Sequence, residues 1–335
     1  MKSRTTLIIA LAGAALVASI AVFTPGCTCG LGGPRTARAT KVERITYHGW
    51  TNALRMRSTE AEVIVVPEIG RVMSFRFLDG ENIFWADRSL DGQRGNANGK
   101  EWINFGGDKT WPAPESDWGQ HTGRKEWMPP AAFDALPVET RVNNGSVTLV
   151  SPVDPHYGIR TTRHVSLAGR HLSIITTYEK VSGESFKVGV WTITQFKEPV
   201  AVYVAARTNS IFAGGYFQFD QEPWPQLQRE GRHLKITRDP KLPHKLGSDA
   251  NALLWVGEKE LCLVSNWSEA GAEYPDRGAR AEVYTNPDPK KYVELEMLGP
   301  LSEMKWGDRI SLGVNYSLER RSSRDLETYL PTHLD

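Results

Sequence analysis

Along Lys291–Leu298 the residue types alternate, which sends Tyr292, Glu294 and Glu296 to one face of a strand and Val293, Leu295 and Met297 to the other. Residues two apart on a strand stand roughly 6.5–7 Å apart, so the two carboxylates are neighbours. Like charges at that spacing push one pKa upward, which suits acid/base chemistry; the competing reading is a solvated strand face. A second stretch, Asn104–Gly119, gathers Gly106, Gly107, Asp108, Lys109, Trp111, Pro112, Pro114, Glu115 and Trp118 into what reads as one loop. Sugars are held by aromatic plates against their C–H faces and by charged or amide groups on their hydroxyls, and this stretch supplies both. The paired glycines let backbone come close to a ligand. The alternative is a proline-stiffened loop whose tryptophans fill the core.

Acid/base work also needs a group that titrates near neutral pH. His156, just before Gly158-Ile159-Arg160, is the first candidate and His48 the second; a surface histidine is the bland alternative for each. His164 and His171 fall at strand or turn positions with no distinguishing context. Lys109 and Arg160 suit a carboxylate or phosphate on an acidic sugar, or serve as structural ion-pair partners.

Other chemistries are not supported. The histidines lack the two-ligand spacing of a zinc helix, so no metal is implied. Gly95–Lys100 lacks the spacing and the following Ser or Thr of a phosphate loop, so no nucleotide cofactor is implied. A formal net charge of +1 leaves no footprint for nucleic acid.

The elements that must position these residues read as strands. Segments such as Glu62–Val66, Arg71–Phe77, Ile159–Leu167, Leu172–Lys180, Lys187–Phe196, Leu261–Asn266, Ala281–Tyr284 and Ile310–Leu318 are rich in Val, Ile, Thr and aromatics and are bounded by turn residues. Asn143-Asn144-Gly145 marks a hairpin, because Asn and Gly accept the positive φ of tight hairpin turns. Arg324–Tyr329 reads as one closing helical turn. The expected class is all-β, a large antiparallel sandwich in which two sheets protect one another's edges.

Lys2 and Arg4 precede the uncharged run Leu7–Phe23, the layout of an export signal. The run exceeds a usual signal core and sits at the short limit of a spanning helix. Thr24-Pro25-Gly26-Cys27 resembles a lipoprotein cleavage box, with Thr24 where Leu is usual; it implies a lipid-modified Cys27, against an uncleaved anchor helix. Either way the expected partner is a membrane, with the remaining chain outside the cytoplasm. Residues 1–26 are then signal, 27–41 a Gly- and Arg-containing tether, and 42–335 a single domain. Three cysteines make no disulfide framework; Cys262, in an apolar strand-like run, reads as a buried small hydrophobe.

Gly106–Glu115 resembles the Gly-Gly-x-x-x-Trp-x-Ala-Pro-Glu signature of the bacterial domain-of-unknown-function family 4380. The resemblance extends over about residues 43–320, through Tyr47–Trp50, Ile69–Arg71, Glu81–Trp85, Gly158–Arg160, Val190–Gln195 and Tyr292–Pro300. That family is similar in fold to galactose mutarotases, whose β-supersandwich binds sugars on a concave sheet, so carbohydrate is the implied partner. Mutarotases use a Glu as base and a His as acid. Leu295-Glu296 falls where the resemblance places the base. Where the acid would stand, this chain reads Trp191–Phe196, and Gln195 cannot donate a proton at neutral pH. His156 is the expected substitute. Lys109, Trp111, Asp108, Trp118, Arg160, Trp191, Gln195, Glu294 and Arg71 are the expected substrate contacts. Two activities stay open: an aldose epimerase or mutarotase using Glu296, and a saccharide-binding lipoprotein without turnover.

Overall fold

The computed structural model describes residues 40–335 apart from 97, 268, 270, 323–325 and 335. The export signal, Cys27 and most of the tether lie outside the described residues. Two antiparallel sheets stack face to face. The first runs in the spatial order β1 (Lys41–Tyr47), β2 (Trp50–Arg57), β3 (Ala61–Val66), β4 (Arg71–Phe77), β5 (Asp108–Ala113), β10 (Phe186–Lys197), β19 (Tyr292–Leu298), β18 (Ala281–Thr285), β15 (His244–Ser248), β12 (Phe217–Gln218), with β20 (Ser302–Met304) paired to one end of β10. The second runs β13 (Leu227–Glu230), β14 (His233–Ile236), β11 (Ala201–Ala205), β16 (Ala252–Val256), β17 (Glu260–Asn266), β21 (Arg309–Arg320), β9 (His171–Lys180), β8 (Ile159–Ala168), β7 (Ser146–Val153), β6 (Glu139–Asn143).

Period-2 patterning explains the stacking. Val63, Val65, Val72 and Phe75 of the first sheet meet Val165, Ile174, Val264 and Val314 of the second in one continuous core. Asn144 and Gly145 take φ of 45° and 79°, as the hairpin reading requires, and join β6 to β7. Cys262 is fully buried in β17, a free thiol used as a small hydrophobe. The C-terminal helix α3 (Leu326–His333) is longer than the single turn expected. Its Tyr329 and Leu330, with Leu334 just beyond, cover the outer-face residues Tyr203, Leu254, Val256 and Leu261 of the second sheet.

The core is not wholly apolar. Asp108 on β5 faces inward, ion-pairs with Arg163 of β8, and accepts hydrogen bonds from the hydroxyls of Thr194 and Tyr316, both at 2.7 Å. Thr110 on the same face meets the Tyr178 hydroxyl at 2.7 Å. This polar seam ties β5 and β10 to the opposite sheet. Asp108 was expected at the substrate; it is instead a structural anchor, because strand alternation puts it on the face opposite to Lys109.

The stretch expected as a loop has a strand at its centre, Asp108–Ala113. β5 pairs with β10 from Asp108↔Thr194 to Ala113↔Gly189. The Gly106-Gly107 pair precedes it with φ of 89° and 71°, and a Cβ at either position would lie 2.3 Å from the Trp85 carbonyl or 2.5 Å from that of Val72. The glycines admit the chain's own backbone at that approach.

Candidate functional site

Outward-facing residues of five adjacent strands share one face of the first sheet. They are Lys109 and Trp111 of β5, Trp191 and Gln195 of β10, Tyr292, Glu294 and Glu296 of β19, Glu282 and Tyr284 of β18, and Lys245 of β15; the register places Gln195 beside Glu294, Glu294 beside Tyr284, and Glu296 beside Glu282. Segments between strands roof it. The short helix α1 (Trp118–Thr122) and the chain after it bring Trp118 and Trp127 onto Trp111 and Trp191, with ring centroids 5.2–6.4 Å apart. The helix α2 (Ala131–Asp134) supplies Asp134, which accepts from the Trp111 indole at 2.9 Å, the Trp102 indole at 3.1 Å and Arg71 at 2.6 Å.

Two charged groupings lie on this face. In the first, Glu294 accepts from Lys109 at 3.1 Å and from the Gln195 amide at 2.7 Å, while the Lys109 ammonium stands 4.6 Å from the centroid of the Trp111 ring. Burial holds the Lys109 pKa below the ordinary lysine value, against the pull of Glu294. The Gln195 side-chain oxygen is buried and has no hydrogen-bond partner among the described residues.

In the second, the Lys245 ammonium lies 2.7 Å from Glu282 and 3.1 Å from Glu296, and 4.6 Å from the centroid of the Trp191 ring. The Trp191 indole N–H donates to the same Glu296 oxygen at 2.9 Å. Glu282 and Glu296 are almost wholly buried, whereas Lys245 keeps a fifth of its side chain in contact with solvent. Burial pushes both carboxyl pKa values up, that of Glu282 the further, with Lys245 acting against the rise in each. Burial also opposes the Lys245 charge, but the two carboxylates outweigh it and hold the ammonium above the ordinary lysine range. At the margin, Glu115 accepts from the Trp127 indole at 2.6 Å; burial raises its pKa and that of Asp276. Burial pushes the Tyr284 hydroxyl up to about 12.

The expected residues divide cleanly. Lys109, Trp111, Trp191, Gln195, Glu294 and Glu296 come together on one face of the first sheet, and Trp118 packs in the roof with its indole bonded to the Pro112 carbonyl at 2.7 Å. The face carrying Glu294 and Glu296 is roofed and buried, so it is no solvated strand face. Arg71 is fully buried and is spent on Asp134 and the Gly106 carbonyl, supporting the roof. Arg160 is on the second sheet, half-exposed and 3.6 Å from Glu179. His156 is exposed in the turn between β7 and β8, where its backbone N–H bonds Asp154 at 2.9 Å. His48 lies at the β1–β2 turn, 3.6 Å from Asp91. Neither histidine joins the Glu296 grouping.

Sequence reasoning missed Lys245 and Glu282. Glu282 carried a usable signal, since Ala281–Thr285 alternates as Lys291–Leu298 does. Lys245 carried none, because its strand lies inside the polar, Pro- and Gly-containing stretch 239–249 that reads as a surface loop.

No protein-family model matches this chain, and no curated protein matches it. Solved structures do. A putative aldose 1-epimerase from Klebsiella pneumoniae is similar with a TM-score of 0.57 at 11% identity, over 88% of this chain and 88% of that one. A galactose mutarotase-like protein from Lactobacillus casei follows with a TM-score of 0.56 at 10% identity, over 80% of this chain and 100% of that one. A putative aldose 1-epimerase from Escherichia coli K12 has a TM-score of 0.53 at 12% identity, over 84% of this chain and 100% of that one. The chain therefore has the galactose mutarotase-like fold.

Proposed function

We propose that this chain is a carbohydrate-processing protein of the aldose epimerase type, with Glu296 as the base that removes the anomeric hydroxyl proton. The observation that supports this reading most directly is the setting of Glu296: a buried carboxyl with a raised pKa that accepts from the Trp191 indole and contacts Lys245. A raised pKa makes a carboxylate a better match for a hydroxyl proton. Aldose 1-epimerases and mutarotase-like proteins among the structural neighbours supply the analogy of reaction. The substrate class is a neutral reducing sugar. Lys109 and Lys245 are already engaged by Glu294, Glu282 and Glu296, and Glu115 and Asp276 add negative charge at the margin, so an acidic sugar is disfavoured.

The proposal extends to family and place. The signature Gly106–Glu115 supports membership of family 4380, and the N-terminal charge and apolar run support export and retention at a membrane through Cys27 or the apolar run Leu7–Phe23. Binding without turnover is the second reading. It is favoured by the double engagement of one Glu296 oxygen by Trp191 and Lys245, with no histidine in that grouping.

Proton NMR of the protein with neutral and acidic reducing sugars separates the two. Anomer exchange with neutral sugars that Glu296→Gln abolishes supports the epimerase. Saturation transfer without exchange supports the binding protein, and silence with every sugar refutes both.

A further inference from the structure

Glu282 and Glu296 stand directly opposite one another on β18 and β19, face the same side, and are both buried. One ammonium, that of Lys245, serves the two. Their hydrogen-bond surroundings differ. Glu296 receives a second donor, the Trp191 indole, on the oxygen that Lys245 contacts. Glu282 has Lys245 beside one oxygen, and among the described residues no donor reaches the other. The Glu296 carboxyl is its direct cross-strand neighbour. A buried carboxylate oxygen without a donor is costly, and a proton there removes the charge and turns the oxygen into a donor. Two buried carboxyls that share one cation therefore retain a proton between them. The indole favours the ionised form on Glu296, which leaves the proton on Glu282.

We infer that Glu282 is the general acid that works opposite Glu296. The inference rests on the epimerase reading above and completes it, because a base alone cannot open the ring. Glu296 takes the proton of the anomeric hydroxyl as Glu282 gives its proton to the ring oxygen. The C1–O5 bond breaks, its electron pair staying on the ring oxygen, and C1 becomes an aldehyde carbonyl. Rotation about C1–C2 presents the other face. The released hydroxyl then attacks C1, returning its proton to Glu282, while the new O1 recovers a proton from Glu296. Both carboxyls end as they began, and no cofactor enters the balance.

The test follows anomer exchange by NMR for the full chain and for Glu282→Gln, Glu282→Asp and Glu296→Gln, using D-glucose, D-galactose and D-mannose. The C=O stretch of a protonated carboxyl is recorded at neutral pH in the same proteins by infrared spectroscopy. The expected result is exchange reduced about 100- to 10,000-fold in Glu282→Gln and partly recovered in Glu282→Asp. The protonated-carboxyl band should vanish in Glu282→Gln. Exchange undiminished in a folded Glu282→Gln, or a protonated-carboxyl band that survives in it, overturns the assignment while leaving the epimerase reading intact. Absence of exchange in the unmodified protein with every sugar overturns that reading and the assignment with it.

Discussion

Replacing Arg163 with Met should destabilise the protein by about 3 kcal/mol, the low end of the roughly 3–5 kcal/mol expected when one partner of a buried ion pair is removed. Arg163 is almost fully buried and supplies the cation to Asp108, with a further bond to the Asp108 carbonyl at 3.3 Å. After the change Asp108 keeps the Thr194 and Tyr316 hydroxyls, each at 2.7 Å, which is why the low end applies. Methionine fills much of the volume, so the loss reports charge rather than a void. Urea unfolding followed by tryptophan fluorescence reads the change; for a slope of about 3 kcal/mol/M the midpoint falls by about 1 M. Adding Asp108→Asn to Arg163→Met should restore at least half of the loss, because the stranded charge is then gone. A single-variant loss below about 1 kcal/mol, the worth of an exposed pair, would refute the buried anchor.

Buried Glu282 gives a pH prediction of definite sign. The Glu282 pKa in the folded protein is raised above its ordinary 4.5, so the folded state holds a proton that the unfolded chain releases, and stability is lost as pH rises from about 4.5 through the folded value. Glu282→Gln should flatten that decline, which thermal unfolding at a series of pH values measures; an unchanged slope would contradict the burial. Cys262 is inaccessible and burial pushes its thiol pKa up. It should therefore react with a thiol reagent only after denaturant is added, and labelling of the native protein at that position would count against its place in β17.

How much was legible depended on how local the signal was. Alternation within Lys291–Leu298 fixes which residues share a face, so the joint presentation of Glu294 and Glu296 could be read. Whether that face meets water depends on the roof, built from residues more than a hundred positions away, and the local pattern carries nothing about that. β5 escaped notice for a different reason. Pro112 lacks an N–H and argues against a central strand, yet β5 pairs with β4 only at Val72↔Asp108, so Pro112 lies beyond that pairing and is matched only with Val190 of β10. The histidine expectation failed on topology, since nothing near His156 in the sequence says that its turn belongs to the second sheet. Lys245 and Glu282 became visible only when β15 and β18 were laid beside β19.

The alternation along β5 also acts as a parity code. Even-numbered Asp108 and Thr110 fasten the strand to the sheet behind it, and odd-numbered Lys109 and Trp111 bond Glu294 and Asp134 under the roof. Inserting or deleting one residue within this strand exchanges the two sets, stranding a lysine between the sheets and turning the anchor away from its Arg163 partner toward the roof. Length changes should therefore be absorbed in the long segment 78–107 before it, where the same insertion alters no parity. Sequence drift in this protein is free to lengthen the roof but must keep count along the strand.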